Sequence, residues 1–367
     1  MSKLLRDTVI TVDLGRIGRN MDKIVEMVGP DVAVMPVIKA NGYGHGALGV
    51  APTLMRHGAK YLAVATLTEA LALRNEYPGS PLFILGHTPD RFLEYVVEND
   101  ITQTIFSAKQ ARILADEGKQ LGKTPTVHLK VDTGFHRLGT DDVEELDAIC
   151  NVDGLNVEGV FSHLALMNEE EDDKQYKMLL AIIAELEKRG HSFRYKHIDD
   201  SISAVDYPGY RMNMIRPGAL VFGLRGFSKG CIDVEQAISF STRLSQVRPI
   251  KAGEGVSYDY LWRAPKDTVI GTLPFGYADG YPRNMRDKGY VTIRGQKCPV
   301  VGVICMDQCI VDLTNVPGAK EGELAIIYGD GTENTMSIPE AATLCGTNKN
   351  EIVSRLMERP PRMYIGE

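Results

Sequence analysis

A chain of 367 residues exceeds one ordinary domain, and its 44% hydrophobic and 24% charged residues describe a folded body with a sizeable core rather than a disordered tail. A formal net charge of -7 with scattered Lys and Arg excludes a basic nucleic-acid stripe, and no stretch approaches the roughly 20 uninterrupted apolar residues of a membrane span. The opening segment turns acidic at Asp7 before any signal-like apolar run, which predicts a cytoplasmic protein, and the six cysteines lack C-x-x-C or zinc-ligand spacing, which predicts free thiols and no metal.

From the N-terminus to about residue 225, short apolar runs alternate with amphipathic stretches. The runs are Val34 to Lys39, Tyr61 to Thr66, Pro81 to Leu85, Thr102 to Ile105, Thr126 to Val131, Val157 to His163, Tyr195 to Ile198 and Ala219 to Phe222. Helical patterns between them include Ile17 to Val28, Leu67 to Arg74, Arg91 to Val97, Ala108 to Gly118, Val143 to Cys150 and Lys174 to Lys188. Eight β units at near-regular spacing predict an α/β domain over residues 1–235, a (β/α)8 TIM-like barrel, with a doubly wound open sheet as the alternative. Residues 236–367 change to β-branched runs between Gly, Pro and Asp turns: Ser239 to Pro249, Thr268 to Leu273, Tyr290 to Ile293, Val300 to Val303, Gln308 to Leu313 and Glu323 to Tyr328. That predicts a mostly β C-terminal domain. The opening run Thr8 to Val12 is not needed by the barrel and is expected to pair with this second domain.

The segment Pro36-Val-Ile-Lys39-Ala-Asn41-Gly-Tyr43-Gly-His45-Gly46 reads as a buried strand that ends on a lysine and enters a glycine-rich turn. Such a lysine faces the carboxyl ends of the strands, where barrel active sites collect. Taken bare, it is equally a solvated side chain. The stretch resembles the cofactor-lysine motif of the bacterial alanine racemases, a family with a (β/α)8 barrel followed by a β domain. Further motifs of that family follow in register along nearly the whole chain: Lys130-Val-Asp132-Thr-Gly134 with Arg137-Leu-Gly139, Gly159 to His163, Ile215-Arg216-Pro-Gly218, Gly255 to Tyr258, Gly276-Tyr277-Ala-Asp279-Gly280, Cys305-Met306-Asp307-Gln308 and Arg359-Pro-Pro-Arg362.

The resemblance implies an amino-acid racemase that uses pyridoxal 5'-phosphate, with the cofactor carried by Lys39. Inverting one carbon requires an acid/base group on each face, and the resemblance assigns these to Lys39 and Tyr258, with His163 and Arg216 standing behind the tyrosine. Arg216 matches the residue facing the pyridine nitrogen; a guanidinium can only donate, so that nitrogen stays unprotonated. Decarboxylases of similar architecture place a carboxylate there. Tyr43, Ser201 and the amides around Gly218 match the phosphate site, with Ser201 as a plain helix cap the alternative. His128, Lys130 and Asp132 alternate on one strand face; Lys130 matches a lysine that is often carbamylated and steers Arg137 toward the substrate carboxylate, and a Lys130–Asp132 ion pair is the alternative. Met306, Asp307, Tyr277 and Glu358 match the substrate entrance. The family also implies a homodimer in which Tyr258 and Met306 serve the partner's site.

Four positions depart from the pattern. Asp200 replaces the usual asparagine before Ser201, Val303 an arginine, and Asn168 a commonly acidic entrance residue. Glu358 stands where a tyrosine usually narrows the site, so serine or a cationic amino acid such as lysine or ornithine competes with alanine as substrate; pairing with Arg359 or Arg362 is the structural alternative. A same-fold decarboxylase and a non-catalytic pyridoxal-phosphate carrier are the remaining readings; Arg216 argues against the first and the second domain against the other.

Overall fold

A computed structural model describes residues 5–366 of the chain, so the first four residues of the opening segment lie outside the described residues. The chain opens with β1 (Val9–Asp13) and α1 (Leu14–Val28). Asp13 caps that helix, its carboxylate accepting the Arg16 N–H at 2.9 Å.

The strands of the first domain are β2 (Ala33–Val34), β3 (Leu62–Val64), β4 (Leu82–Ile84), β5 (Thr102–Ile105), β6 (Thr126–Lys130), β7 (Asn156–Phe161), β8 (Tyr195–His197) and β9 (Met214–Ile215). The helical segments among them are α2 (Lys39–Tyr43), α3 (Ala47–Arg56), α4 (Leu67–Glu76), α5 (Leu93–Glu98), α6 (Ala108–Leu121), α7 (Val143–Cys150), α8 (Glu169–Lys188) and α9 (Ser203–Asp206). β3 to β8 form one parallel sheet in chain order, and β2 pairs in parallel with β9. Backbone bonds join this pair to both ends of the sheet: Ile38 N–H to the Ala63 carbonyl at 2.8 Å and Arg216 N–H to the Asp199 carbonyl at 3.0 Å. The result is the expected barrel. β3 and β4 are buried at every residue, as strands covered on both faces must be. Met35, Val37, Ala63, Phe83, Phe161, Tyr195 and Met214 fill the barrel, while a larger cluster packs the helices on its outside.

One strand differs from the sequence reading. Ala219–Phe222 is a buried 3-10 turn, and the eighth strand is Met214–Ile215. Pro217 has no N–H to extend the ladder, and the chain swings away at Gly218 (φ -107, ψ -84). A buried apolar run of four has no periodicity that separates strand from turn.

The second domain holds β10 (Ile238–Arg243), β11 (Gln246–Ile250), β12 (Gly255–Val256), β13 (Trp262–Arg263), β14 (Thr268–Leu273), β15 (Tyr290–Ile293), β16 (Gln296–Pro299), β17 (Cys309–Asp312), β18 (Leu324–Tyr328) and β19 (Arg362–Ile365). Its larger sheet runs β16-β15-β18-β10-β1-β19, so the opening strand lies antiparallel to β10 and parallel to the last strand of the chain. Two features were not in the sequence reading. Ser239 to Pro249 is two strands in different sheets, and two helices, α10 (Ile338–Cys345) and α11 (Lys349–Ser354), precede β19. Val300 to Val303 makes only an isolated bridge, Val300 to Val311. Among the described residues no helix is long and apolar enough to cross a membrane, and all six cysteines are unpaired.

Candidate active site

A cavity of about 450 Å³ opens at the carboxyl ends of the barrel strands. Of the residues singled out in the sequence, Lys39, Tyr43, Lys130, Arg137, His163, Asp200, Ser201, Arg216 and Gly218 line it.

Lys39 begins α2 directly beyond the strand pair. The next residues turn left-handed, with φ of 52° at Ala40, 53° at Asn41, 63° at Gly42 and 52° at Tyr43. Such a turn costs about 1 kcal/mol or more at each non-glycine residue, so its surroundings must impose it. Glu69 accepts the Ala40 N–H at 2.6 Å, the Asn41 side chain accepts the Ala47 N–H at 2.9 Å, and buried His45 donates from Nδ1 to the carbonyls of Gly42 and Tyr43 at 3.0 and 2.9 Å. The second domain grips the same loop. Arg362 donates from Nε and Nη2 to the Gly44 carbonyl, each at 3.1 Å, and a Cβ on Gly44 (φ 77) would strike the Val353 carbonyl. Burial lowers the Lys39 pKa, Arg137 lowers it further, and Glu69 opposes them.

Arg216 is 4% exposed. Its Nη1 donates to His197 Nδ1 at 2.6 Å, and Nη2 donates to the carbonyls of Ser162 and Ile198 at 2.8 and 2.9 Å. Because a guanidinium only donates, His197 must carry its hydrogen on Nε2, which then donates to His128 Nδ1 at 2.9 Å; His128 Nε2 in turn faces Glu158 at 3.5 Å. A chain of fixed tautomers thus runs from the cavity through the barrel core. Burial lowers the pKa of both histidines, so they stay neutral and leave the charge on Arg216, which burial brings down to about 10. The Arg216 Nε–H has no partner among the described residues. His163 Nδ1 faces Arg216 Nη2 at 3.4 Å, and burial followed by the Arg216 charge pushes its pKa down to about 3.

Lys130 points into the barrel and donates to the Val131 carbonyl at 2.8 Å. The alternative ion pair with Asp132 does not form: Asp132 turns away to accept the N–H groups of Gly134 and His136 at 3.0 and 3.1 Å. Burial, then Arg216, brings the Lys130 amine down to about 7. Arg137 lies over the Phe135 ring, 4.2 Å from its centre.

At the opposite end, Ser201 Oγ accepts the N–H groups of Gly218 and Leu220 at 2.8 and 3.2 Å. Ser201 does not cap α9, whose N-cap position is Ile202; just before it, Asp200 Oδ1 accepts the N–H groups of Ile202 and Ser203 at 2.8 and 3.0 Å. A Cβ on Gly218 would lie 2.5 Å from the Tyr43 hydroxyl, so glycine leaves room for both phenol and amides. Burial, then Asp200, raises the Tyr43 pKa to about 12 and keeps the phenol a donor. Converging amides with a hydroxyl make an anion cradle.

The second-domain residues stand elsewhere. Tyr258 is 67% exposed and lines a separate groove with Cys305 and Gln308. Tyr260, Leu261 and Met306 are exposed near it, and Tyr277 carries Arg283 over its ring. Asp307 pairs with Arg359 at 2.8 Å. Glu358 is exposed and makes no ion pair or hydrogen bond among the described residues, so the expected alternative of pairing with Arg359 or Arg362 is not formed. Asn168 caps α8 through the Glu171 N–H, and Val303 is buried, its carbonyl accepting from Ser257. Sequence reasoning missed Glu69, His197 and the cavity-lining Lys349, and named Arg362 without its hold on the Gly44 carbonyl. His197 carried a readable signal, since it alternates with Tyr195 on the inward face of β8.

Models of the alanine racemase N-terminal domain and C-terminal domain match residues 12–226 and 237–364. An alanine racemase of Desulforamulus reducens is 37% identical over 97% of this chain and 98% of its own length. Among solved structures, an alanine racemase of Clostridium difficile is 29% identical with a TM-score of 0.95, covering 99% of this chain and 97% of that one. One from Bacillus anthracis with bound L-Ala-P is 30% identical with a TM-score of 0.92, covering 100% and 97%.

Proposed function

The chain belongs to the alanine racemase family, and on that premise we propose that it interconverts L- and D-alanine with pyridoxal 5'-phosphate, in a homodimer whose second domains complete each other's sites. When bound, the cofactor supplies the electron sink that an α-proton needs in order to leave. Three observations fit it to the cavity. A lysine with a lowered pKa lies at the barrel mouth, a buried guanidinium keeps a spare donor, and an amide cradle awaits an anion. Their convergence in one cavity carries the reading.

The roles follow from the chemistry of each side chain. Burial favours the neutral amine of Lys39, the form that attacks a carbonyl and accepts a proton. The amides of Gly218 and Leu220, which here donate to Ser201 Oγ, would hold the phosphate together with Ser201 and Tyr43, and Arg216 would donate to the ring nitrogen. Arg137 neutralises the substrate carboxylate. Lys130, titrating near 7, is partly neutral at physiological pH and thereby competent to take up carbon dioxide; the carbamate replaces one cation of a crowded positive cavity by an anion that orients Arg137. Lys39 moves a proton on one face, and Tyr258 of a second copy on the other. His163, neutral and with Nδ1 turned to Arg216, presents its Nε2–H to that phenol. The exposed apolar residues around Tyr258 and Met306 support such an association.

L-Alanine incubated with the protein in deuterated water should lose its α-proton as D-alanine appears, and borohydride should fix the cofactor to the peptide bearing Lys39. A label on any other lysine, or alanine left unexchanged, overturns the reading.

A further inference from the structure

The cradle end of the cavity holds a charge imbalance. Asp200, in place of the neutral residue expected there, lines the cavity beside Ser201 and Gly218. Its Oδ1 is occupied by two backbone amides, and the carboxylate as a whole would repel a phosphate dianion. Opposite stands Lys349, the first residue of α11. It belongs to the second domain yet reaches the barrel cavity of its own chain. Its ammonium lies against Gly226, where a Cβ would collide with Nζ, so this glycine leaves the room the cation fills. Burial lowers the Lys349 pKa and the Asp200 charge opposes it, yet no ion pair joins the two and Nζ has no hydrogen-bond partner among the described residues. α11 itself is fixed: Asn348 caps it through the Glu351 N–H at 3.0 Å, and its Val353 carbonyl abuts Gly44 of the Lys39 loop.

A half-buried ammonium without a partner, at the rim of an amide cradle and beside a carboxylate, is arranged for an anion. We propose that Lys349 is a ligand of the cofactor phosphate, its ammonium pairing with the dianion and offsetting Asp200. The assignment rests on the pyridoxal 5'-phosphate reading above. Amides alone hold phosphate by dipoles and suffice where the neighbour is neutral; with a carboxylate at the rim, a point charge on a flexible stem restores the balance. The second domain thereby contributes to cofactor retention within its own chain.

The test titrates apoprotein with pyridoxal 5'-phosphate and, separately, with pyridoxal, which lacks the phosphate. Lys349→Met should weaken binding of the phosphorylated compound by about 10- to 100-fold, the range of one lost charge-assisted contact, and leave pyridoxal unchanged. Lys349→Arg should retain most of the affinity, and adding Asp200→Asn to Lys349→Met should recover part of the loss. The phosphorus resonance of the bound cofactor should shift in Lys349→Met. Equal weakening of both compounds, or wild-type affinity in Lys349→Met, overturns the assignment. If wild-type protein takes up the cofactor at Lys39 while Lys349→Met binds it normally, the Lys349 assignment alone falls; if the wild type binds none, both readings fall together.

Discussion

Asp199 precedes the phosphate-site loop with both carboxylate oxygens buried and unpaired, and burial raises its pKa to about 6. The folded state therefore holds this proton more tightly than the unfolded chain does. The sign follows: the stabilisation is present below the ordinary carboxyl range and is lost as pH rises from about 4 through about 6, a shift on the order of 3 kcal/mol. Asp199→Asn, which cannot ionise, should unfold at a higher temperature than wild type at pH 7.5 and show a flatter stability profile between those limits. Thermal melts across pH check this, and an unchanged profile refutes it. Glu358 makes the second prediction at this scale. Exposed and unpaired, it is free to accept hydrogen bonds from a hydroxyl or ammonium substrate group. Replacing it with tyrosine should raise kcat/KM for alanine relative to serine, lysine and ornithine; an unaltered preference profile would reduce Glu358 to a surface residue.

Among the elements, the left-handed turn after Lys39 is the one most exposed to backbone substitution. Gly44 has a positive φ and no room for a Cβ, so Gly44→Ala should cost at least about 2 kcal/mol and lower cofactor occupancy, read by melts and by visible absorbance. Gly29→Ala, also at positive φ but facing open space, is the control for backbone strain without a clash. The elements also show what the sequence could and could not reveal. Fully buried short runs such as Leu62–Val64 and Thr102–Ile105 stood out because both faces are covered. Ala219–Phe222 was equally apolar and is a turn, since composition does not record the break at Pro217 and Gly218. The barrel half of the site was legible because its residues lie at strand ends within recognisable local motifs. Lys349 was not, because it reaches the cavity only through the folding of a distant domain. Asp200 was visible as a departure, but its hold on the Ile202 and Ser203 amides depended on backbone geometry that residue identity does not carry.

Across the whole molecule, the candidate catalytic groups divide between the barrel cavity and an exposed groove of the second domain. A single chain does not bring Tyr258 to Lys39, so activity should depend on association. Lys39→Ala and Tyr258→Ala proteins, each inactive alone, should regain activity when mixed and reassembled, because a hybrid holds one site with both residues intact. Hybrids that form without any return of racemisation would overturn the shared-site reading.

The grip of Arg362 and Val353 on Gly44 also has a temporal meaning. Lys39 is translated early, and the barrel strands that surround it follow, but Arg362 and Val353, which complete the seating of its loop, are made only after the whole barrel. Reactivity toward an aldehyde should therefore wait on a domain made after the barrel. Chains truncated before Val353 should retain the lysine yet resist borohydride-trapped labelling.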